Sequence, residues 1–358
     1  RMRRFRSGAD RPGFAVRPWS ADQQLATARP FPTMALITSH PLAVQSYQPH
    51  GLHTDSDYPW PEHNCYVDLF IELLHSLRCD PIACFYVALC ADFQGDQWTF
   101  VKPDVWALWK LYGVRVFEVN VWHMVESHVI YQLRDHSVPL LEVDAFYLPD
   151  VAGISYQLDH TKTAIGIVGI DVAAQELWYF HNRGLHCASG ADYRGLLGID
   201  PRPQLVPYFE SASVGAACVR SYADLRHDSL ELLRESLTAT SVRDPFGCFE
   251  RHLADSLPAM AQGDLGFHRY SFATFRQLGA ACSLGVQYLS WCGLPNMGRA
   301  IEGLALVSSL SQAFILRLAR AATRGREVDW QEPLACMRTA WQTARDSLGD
   351  AIEQPACC

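Results

Sequence analysis

Residues 61–77 read PEHNCYVDLFIELLHSL, and this stretch predicts the helix around which the rest of the fold is arranged. Asn64 or Asp68 supplies a helix start signal, and Asp80-Pro81 supplies the stop. Its leucines recur at four-residue spacing, which is typical of an amphipathic helix, at Leu69, Leu73 and Leu77. The stretch therefore places a cysteine, Cys65, in the first turn of a helix.

Cys65 is the candidate nucleophile because of this position. Unpaired backbone N–H groups and the helix dipole favour a thiolate at a helix start, which predicts a lowered pKa for the thiol. The same N–H groups can hold an oxyanion. The alternative is a buried core cysteine, the commoner role of a free thiol.

The chain changes character near residue 210. An opening helix followed by a mostly antiparallel sheet indicates an α+β fold, and the second half is almost wholly helical. Strands are predicted at residues 98–101, 115–119, 140–146, 161–170 and 176–181, and helices at 66–77, 103–112, 213–238, 246–262, 268–292, 297–322 and 330–350. We expect a disordered or upstream extension over 1–33, a catalytic domain over 34–210 and an α-helical domain over 211–358.

A nucleophilic cysteine needs a base, and the base needs an orienting group. His160 begins the apolar strand at 161–170, and Asn182 follows the strand at 176–181. Two antiparallel strands joined by a turn near Asp171 bring both residues to the same end of a sheet. The sequence therefore predicts that Asn182 fixes the imidazole of His160. The alternatives are a surface histidine and a simple turn at Asn182.

This spacing resembles papain-like cysteine enzymes of the bacteriocin-leader-peptidase type. It is also similar to the butirosin-biosynthesis acyltransferase and its relatives, which carry a V-D-x-Y-Y-L-P stretch, a His-led apolar strand and a strand ending near an acid. The matching pieces are residues 143–149, His160 to Asp171 and Tyr179 to Asn182, and the resemblance covers residues 60–185. It implies a papain-like catalytic domain in which Cys65, His160 and Asn182 form the triad.

A third resemblance extends through both halves of the chain. An uncharacterised bacterial family, often associated with carrier-protein pathways, has motifs N-C-Y-V-D-L, D-F-x-G-D-Q-W-T-F and H-x-K-T. The chain supplies them at residues 64–69, 92–100 and 160–163. Leader peptidases place an oxyanion-binding Gln six residues before the nucleophile, where this chain has Pro59. Asn64, Gln97 or a backbone amide has to replace it.

Three further features are candidates for substrate binding. Lys162 lies two positions after His160, on the same face of the strand, where its ammonium can hold a carboxylate or phosphate; a solvated lysine is the alternative. The polar loop with Gln97 and Trp98 serves as a structural cap or lines a pocket. Asp144 and Asp150 flank the aromatic stretch that includes Tyr147 and can bind an amine; a turn at Pro149-Asp150 is the alternative.

Composition excludes several other classes of function. The net charge is −8, but residues 1–33 hold seven arginines and two acids, so the remainder has 23 basic and 36 acidic residues, a net −13. An acidic body argues against nucleic acid. The longest apolar stretch, residues 304–316, is too short for a membrane span. Twelve cysteines in a chain this long, with no signal peptide recognised, favour a reducing cytoplasm over a disulfide framework. They include no C-x-x-C pair, which argues against structural zinc and thioredoxin-type chemistry.

A metal site is the weaker interpretation of one histidine-rich segment. That segment lacks a helical frame, so a solvated loop is the preferred interpretation. Its potential ligands are His50, His53, Asp55, Asp57 and His63. We therefore predict no metal and no resident cofactor.

The leading hypothesis is a cytoplasmic acyltransferase. Cys65 takes an acyl or aminoacyl group from the phosphopantetheine arm of a carrier protein, and a small-molecule amine then accepts the group. The alternatives are a cysteine amidase or peptidase, in which water replaces the amine, and a non-catalytic module that binds carrier protein. We expect the helical half to cover the cleft or to form a homodimer.

Overall fold

The computed structural model describes residues 36–42, 44–55, 60, 62–199, 206–240, 244–260, 264–324 and 329–353. The extension predicted over residues 1–33, Asp57 and Pro59 lie outside these ranges. The β-strands are β1 (Ile37–Thr38), β2 (Phe93–Gln94), β3 (Gln97–Trp98), β4 (Arg115–Glu118), β5 (Ser137–Asp144), β6 (Lys162–Asp171), β7 (Glu176–His181), β8 (Gly184–Ser189) and β9 (Phe209–Ser213).

Helices make up most of the remaining described chain. They are α1 (Gly51–Thr54), α2 (Cys65–Ser76), α3 (Val105–Tyr112), α4 (Val125–Arg134), α5 (Ala191–Leu196), α6 (Tyr222–Thr240), α7 (Pro245–Met260), α8 (Asp264–Ser271), α9 (Gln277–Cys292), α10 (Gly298–Arg324) and α11 (Gln331–Glu353). A 3-10 helix covers Pro81–Cys90, and a π-helical turn, Phe272–Arg276, joins α8 to α9. An antiparallel sheet followed by a helical region confirms the α+β prediction.

The large sheet determines where the site forms. Its strand order is β4-β9-β5-β6-β7-β8, with β1 paired to part of β6, and its pairs are antiparallel. The alternation of side chains along a strand gives the sheet two faces. Ala164 and Val168 of β6 belong to one hydrophobic core with α2, whereas Ile165 and Ile167 belong to a second core with α4 and α5.

Helix α2 begins one residue before the predicted start and lies close against the sheet. The Asn64 side-chain oxygen accepts hydrogen bonds from the backbone N–H groups of Tyr66 (3.1 Å) and Val67 (3.0 Å), which is a helix N-cap. A Cβ atom on Gly166 would lie 2.5 Å from Leu69 Cδ1, so any larger residue here would require the leucine side chain to shift. The predicted helix over 103–112 is also present, closed by Gly113 at φ +73°.

The two halves of the chain share one core. Trp98 is fully buried, and its ring contacts the rings of Phe246, Phe249 and Trp341 from the helical half. Trp60 Nε1 donates a 2.6 Å hydrogen bond to Ser308 Oγ of α10. The predicted catalytic and helical regions therefore bury their apolar surfaces against each other.

Helix α10 is longer than the apolar stretch identified in the sequence. Residues Gly298–Arg320 are long and apolar enough to cross a membrane, a test that core helices of soluble proteins also meet. Leu304, Val307 and Phe314 of this helix are buried in the shared core. Its length and composition alone are weak evidence for a membrane span.

Candidate functional site

Cys65 is half-buried at the start of α2, where its sulfur lies against β6. The backbone N–H of Ala164 and the hydroxyl of Thr163 lie close to the sulfur and favour the thiolate. Burial has the larger effect and raises the pKa of the Cys65 thiol, and the carboxylate of Asp68 adds to the rise. The lowered pKa expected from the helix start is therefore wrong, because burial outweighs the favourable amides. A thiol with a raised pKa needs a base to become a nucleophile.

A path from Cys65 to a base passes through Thr163. Its Oγ1 atom lies 2.9 Å from Nε2 of His181, and the other ring nitrogen, Nδ1, lies 2.6 Å from Oδ2 of Asp150. The order along this path is Cys65, Thr163, His181, Asp150. His181 is only 2% exposed, so the path is screened from solvent.

Asp150 is held in its charged form by several partners. Burial alone would raise the pKa of this carboxyl, but hydrogen bonding and charge interaction with His181 outweigh that effect and lower it. Tyr179 donates a 2.7 Å hydrogen bond to Oδ1 of Asp150. The Nε2 atom of His186 lies 3.0 Å from the backbone carbonyl oxygen of His181. The His181 ring and its carboxylate are therefore fixed from several sides.

The strand register explains why Thr163 and His181 meet. Strands β6 and β7 are antiparallel neighbours with Gly166 opposite Phe180, so the start of β6 lies beside the end of β7. Asn182 follows immediately in the two-residue turn to β8 and has φ +46°, a left-handed conformation that asparagine adopts more readily than most residues. It is a turn residue at the end of the predicted strand.

His160 has a different partner from the one predicted. Its Nδ1 atom lies 2.5 Å from Oδ2 of Asp144, and its ring stacks on Phe146 with 4.5 Å between ring centroids. Asp144, not Asn182, therefore orients the imidazole. The reason is that β5 pairs with β6 on the side opposite β7, which places Asp144 directly across from Lys162. The His160 side chain is 61% exposed.

A cavity of about 700 Å³ brings together four of the predicted site residues. They are Asp144, Tyr147, His160 and Lys162. Glu142 also lines the cavity, and its Oε1 lies 2.7 Å from Nζ of Lys162. Cys65 and Asn182 are not among the described lining residues. Of the predicted triad, His160 therefore lies at the cavity, whereas Cys65 and Asn182 lie outside its described lining.

The remaining predicted binding residues have structural contacts. The amide of Asn64 is occupied at both ends, because it caps α2 and donates a 2.8 Å hydrogen bond to the carbonyl of Val101. Gln97 is exposed on the β2–β3 hairpin, where its Nε2 atom donates a 3.2 Å hydrogen bond to Oδ1 of Asp96. Trp98 lies in the shared core. Within the described chain, the structure does not bring Asn64, Gln97 or Trp98 to the cavity.

One buried cluster has the donor atoms of a metal site. Ring nitrogens of His53 and His63 and a carboxylate oxygen of Asp68 lie within 4.8 Å of one another. His53 also hydrogen-bonds to Glu72, and both nitrogens of its ring therefore face carboxylates. Burial would lower the pKa of His53, but the two carboxylates outweigh it and raise the pKa to about 9. A protonated His53 satisfies this cluster without a metal.

Three residues of the path were not predicted as site residues. Thr163 and His181 lie within strands predicted as apolar, and Asp150 was considered only as an amine ligand or a turn residue. One signal for His181 was present in the sequence. Side chains alternate along β7, so His181 lies on the same face as Tyr179, which belongs to the second core. The contact between His181 and Asp150 depends on the path of the segment between β5 and β6, which hydrophobic periodicity cannot predict.

Comparison with known proteins gives a family and no curated relative. The family model described as the DUF1839 N-terminal domain matches residues 48–214, and that of the DUF1839 C-terminal domain matches residues 222–350. No curated protein matches the chain. The first match includes Cys65, the path through Thr163 and the cavity, and the second covers most of the helical half. The chain belongs to the DUF1839 family.

Proposed function

We propose that the protein is a cysteine-dependent acyltransferase that moves an acyl or aminoacyl group from a carrier-protein thioester to an amine. The observation that carries this proposal is the Thr163 hydroxyl, which lies beside the Cys65 sulfur and hydrogen-bonds to the His181–Asp150 pair. A helix-start cysteine against an antiparallel sheet also supports the papain-like resemblance. Asn182 has no place in the revised arrangement.

The path can activate the thiol without direct contact between Cys65 and His181. In the resting state, the S–H of Cys65 donates to the Thr163 oxygen, and the Thr163 O–H donates to Nε2 of a neutral His181. Each proton then moves one step toward the imidazole, which leaves a thiolate at Cys65 and an imidazolium at His181. Asp150 stabilises the imidazolium through Nδ1–H.

Acylation follows from the thiolate. The sulfur attacks the thioester carbonyl, the carbon–sulfur bond to the carrier arm breaks, and the departing thiolate takes the proton that His181 had received. Asn64 occupies the backbone N–H groups of Tyr66 and Val67, so the N–H of Cys65 itself is the first-turn amide available to the oxyanion. The product is a thioester on Cys65.

The test uses intact protein and an acylated carrier protein. Electrospray mass spectrometry should detect one acyl adduct, and peptide mapping should locate it on Cys65. Cys65→Ser should abolish the adduct, whereas Cys218→Ser, at an exposed cysteine away from the path, should leave it unchanged. Addition of a primary amine should convert the adduct to an amide.

Other outcomes would support the alternative functions. Release of the free acid in the presence of saturating amine would favour a hydrolase. Binding of carrier protein with no adduct on Cys65, and no faster alkylation of Cys65 than of Cys218, would overturn catalysis and favour the binding module.

A further inference from the structure

Three lining residues of the cavity lie on the sheet face that packs against α2. Glu142 is directly opposite Ala164 in the β5–β6 pair, and Asp144 is directly opposite Lys162. Side chains of directly opposed residues lie on the same face, so these four residues form one group. Ala164 is the residue whose N–H lies close to the Cys65 sulfur, and Glu142 and Lys162 line the cavity.

A charge interaction also connects the start of α2 with this group. Tyr66, the residue after Cys65, has a pKa raised first by burial and then by the carboxylates of Glu210 and Glu142. Opposed residues in an antiparallel pair have Cα atoms roughly 4.5–5.5 Å apart. The cavity rim at Glu142 is therefore a neighbour of the strand position that holds the thiol.

The His160–Asp144 pair has the arrangement of a general base. Asp144 holds Nδ1, and stacking on Phe146 fixes the plane of the ring. His160 lines the cavity and is mostly exposed, and no described residue hydrogen-bonds to its Nε2. A neutral imidazole with Nδ1–H bound to a carboxylate presents an unprotonated Nε2, the atom that can accept a proton from a ligand.

The lining of the cavity favours a cationic ligand with an apolar body. Its charged lining residues include two carboxylates, Glu142 and Asp144, against one ammonium, Lys162. With His160 neutral, these groups have a net charge of −1. Val143, Leu196 and Val206 supply apolar surface in the same cavity. A protonated primary amine matches the charge, and its hydrocarbon part matches the apolar surface.

We propose that this cavity binds the amine acceptor and that His160 removes its proton for attack on the acyl group carried by Cys65. The inference rests on the proposed acyl transfer and assigns the second half of that reaction to a separate acid–base pair. Asp144 orients His160 and attracts the ammonium.

The proton balance of this step is complete. His160 takes one proton from the ammonium group and passes it to solvent. The neutral amine attacks the thioester carbon, a C–N bond forms and the C–S bond to Cys65 breaks. The second nitrogen proton passes to the departing sulfur of Cys65, which restores the thiol.

The test separates binding from transfer. Phenethylamine is titrated by calorimetry into the Cys65→Ser variant, which has no nucleophile, with N-acetylphenethylamine as an uncharged probe. The amine should bind at least about tenfold more tightly than its acetylated form, and Asp144→Asn should remove that preference. His160→Gln should retain amine binding within about threefold but slow amide formation by about 100-fold.

The matched control is His227→Gln. His227 lies 3.5 Å from Glu231 on α6, so it is also an exposed histidine beside a carboxylate, and its loss should change neither binding nor transfer. Formation of the Cys65 adduct should be unchanged in His160→Gln.

The two proposals fail in different ways. If Cys65 is acylated and His160→Gln transfers the acyl group at the wild-type rate, the role of His160 is overturned and the acyltransferase stands. Equal affinity for the amine and its acetylated form would overturn the cavity as the amine site. Asp144-dependent amine binding without acylation of Cys65 would support the cavity and overturn the transferase.

Discussion

The Nε2 atom of His181 lies 2.9 Å from the hydroxyl oxygen of Thr163, on the strand position that also contacts the Cys65 sulfur. The Thr163 hydroxyl therefore occupies the position that a base in direct contact with the thiol would occupy. It can accept one proton and donate another at the same time, which no aliphatic side chain can do. This property makes Thr163 the most informative residue to replace.

We expect Thr163→Val to slow acylation of Cys65 by about 100-fold or more, because valine preserves the branched shape and removes the proton path. Thr163→Ser retains the hydroxyl and should stay within about tenfold of wild type. The adduct is followed by quenched-flow mass spectrometry. Equal acylation rates for the valine and serine variants would show that the Thr163 hydroxyl does not transfer a proton between Cys65 and His181.

Asp150 should contribute strongly to stability as well as to the path. Asp150→Asn replaces a buried carboxylate that accepts from both His181 and Tyr179, so we expect the free energy of unfolding to fall by about 3 kcal/mol. Tyr179→Phe removes one neutral donor and should cost about 1–2 kcal/mol. Urea denaturation at pH 7 measures both. A loss for Asp150→Asn no larger than that for Tyr179→Phe would contradict a charged Asp150.

His53 should make the protein less stable at alkaline pH. Its pKa is about 9 in the folded protein, against 6.5 for an unperturbed histidine, so the folded state binds more protons between these values. The stabilisation is fully present below about pH 6.5 and is lost as the pH rises to about 9, a change of about 3 kcal/mol. Denaturation at pH 6, 7.5 and 9 measures it.

His53→Gln is the control. The free energy of unfolding of this variant should no longer fall between about pH 6.5 and 9. If that variant does not fold, titration of the wild-type imidazole by NMR gives the pKa directly. A folded-state pKa near 6.5 would contradict the interpretation that His53 is a buried cation between Asp68 and Glu72.

His40 should act in the opposite direction. Burial lowers its pKa to about 4, while its ring nitrogens lie 2.8 Å from Ser39 Oγ and 2.9 Å from Ser76 Oγ. The unfolded chain therefore binds more protons between about pH 6.5 and 4, and stability falls as the pH drops through this interval. We expect His40→Gln to flatten the acid side of the stability profile. If the stability of His40→Gln still falls by the same amount between about pH 6.5 and 4, groups other than His40 cause the fall.

Gly195 should control the width of the cavity. A Cβ atom at this position would lie 2.2 Å from Cδ1 of Tyr147, so Gly195→Ala has to displace the tyrosine ring. Both residues line the cavity, and we expect amine affinity to fall by about tenfold or more. Gly298→Ala, with nothing within 4 Å of the added atom, controls for glycine replacement away from the cavity. Unchanged affinity in Gly195→Ala would place the ligand elsewhere.

The sequence predicted the elements with strong local signals. Leucine spacing located α2, Gly113 located the end of α3, and short apolar runs located β6 and β7. It did not locate β9, because the pairing of residues 209–213 with β4 and β5 depends on contacts far apart in the chain. Short elements joined by long connections leave little periodic signal.

The candidate site shows the same division. Cys65 could be identified because the helix start that holds it is local. The partner of His160 could not, since the choice between Asn182 and Asp144 depends on which neighbouring strand the ring faces. Burial reversed the pKa expected for Cys65, and burial depends on tertiary packing that no single segment contains.

The position of Trp98 constrains how this family can evolve. Its side chain comes from the half that holds Cys65, yet it is enclosed by aromatic rings from the other half. Loss of the helical half would expose this tryptophan and much of the apolar surface beneath the site. Recombination that exchanges one half alone is therefore unfavourable, and we expect the two halves to be inherited together as a single heritable unit.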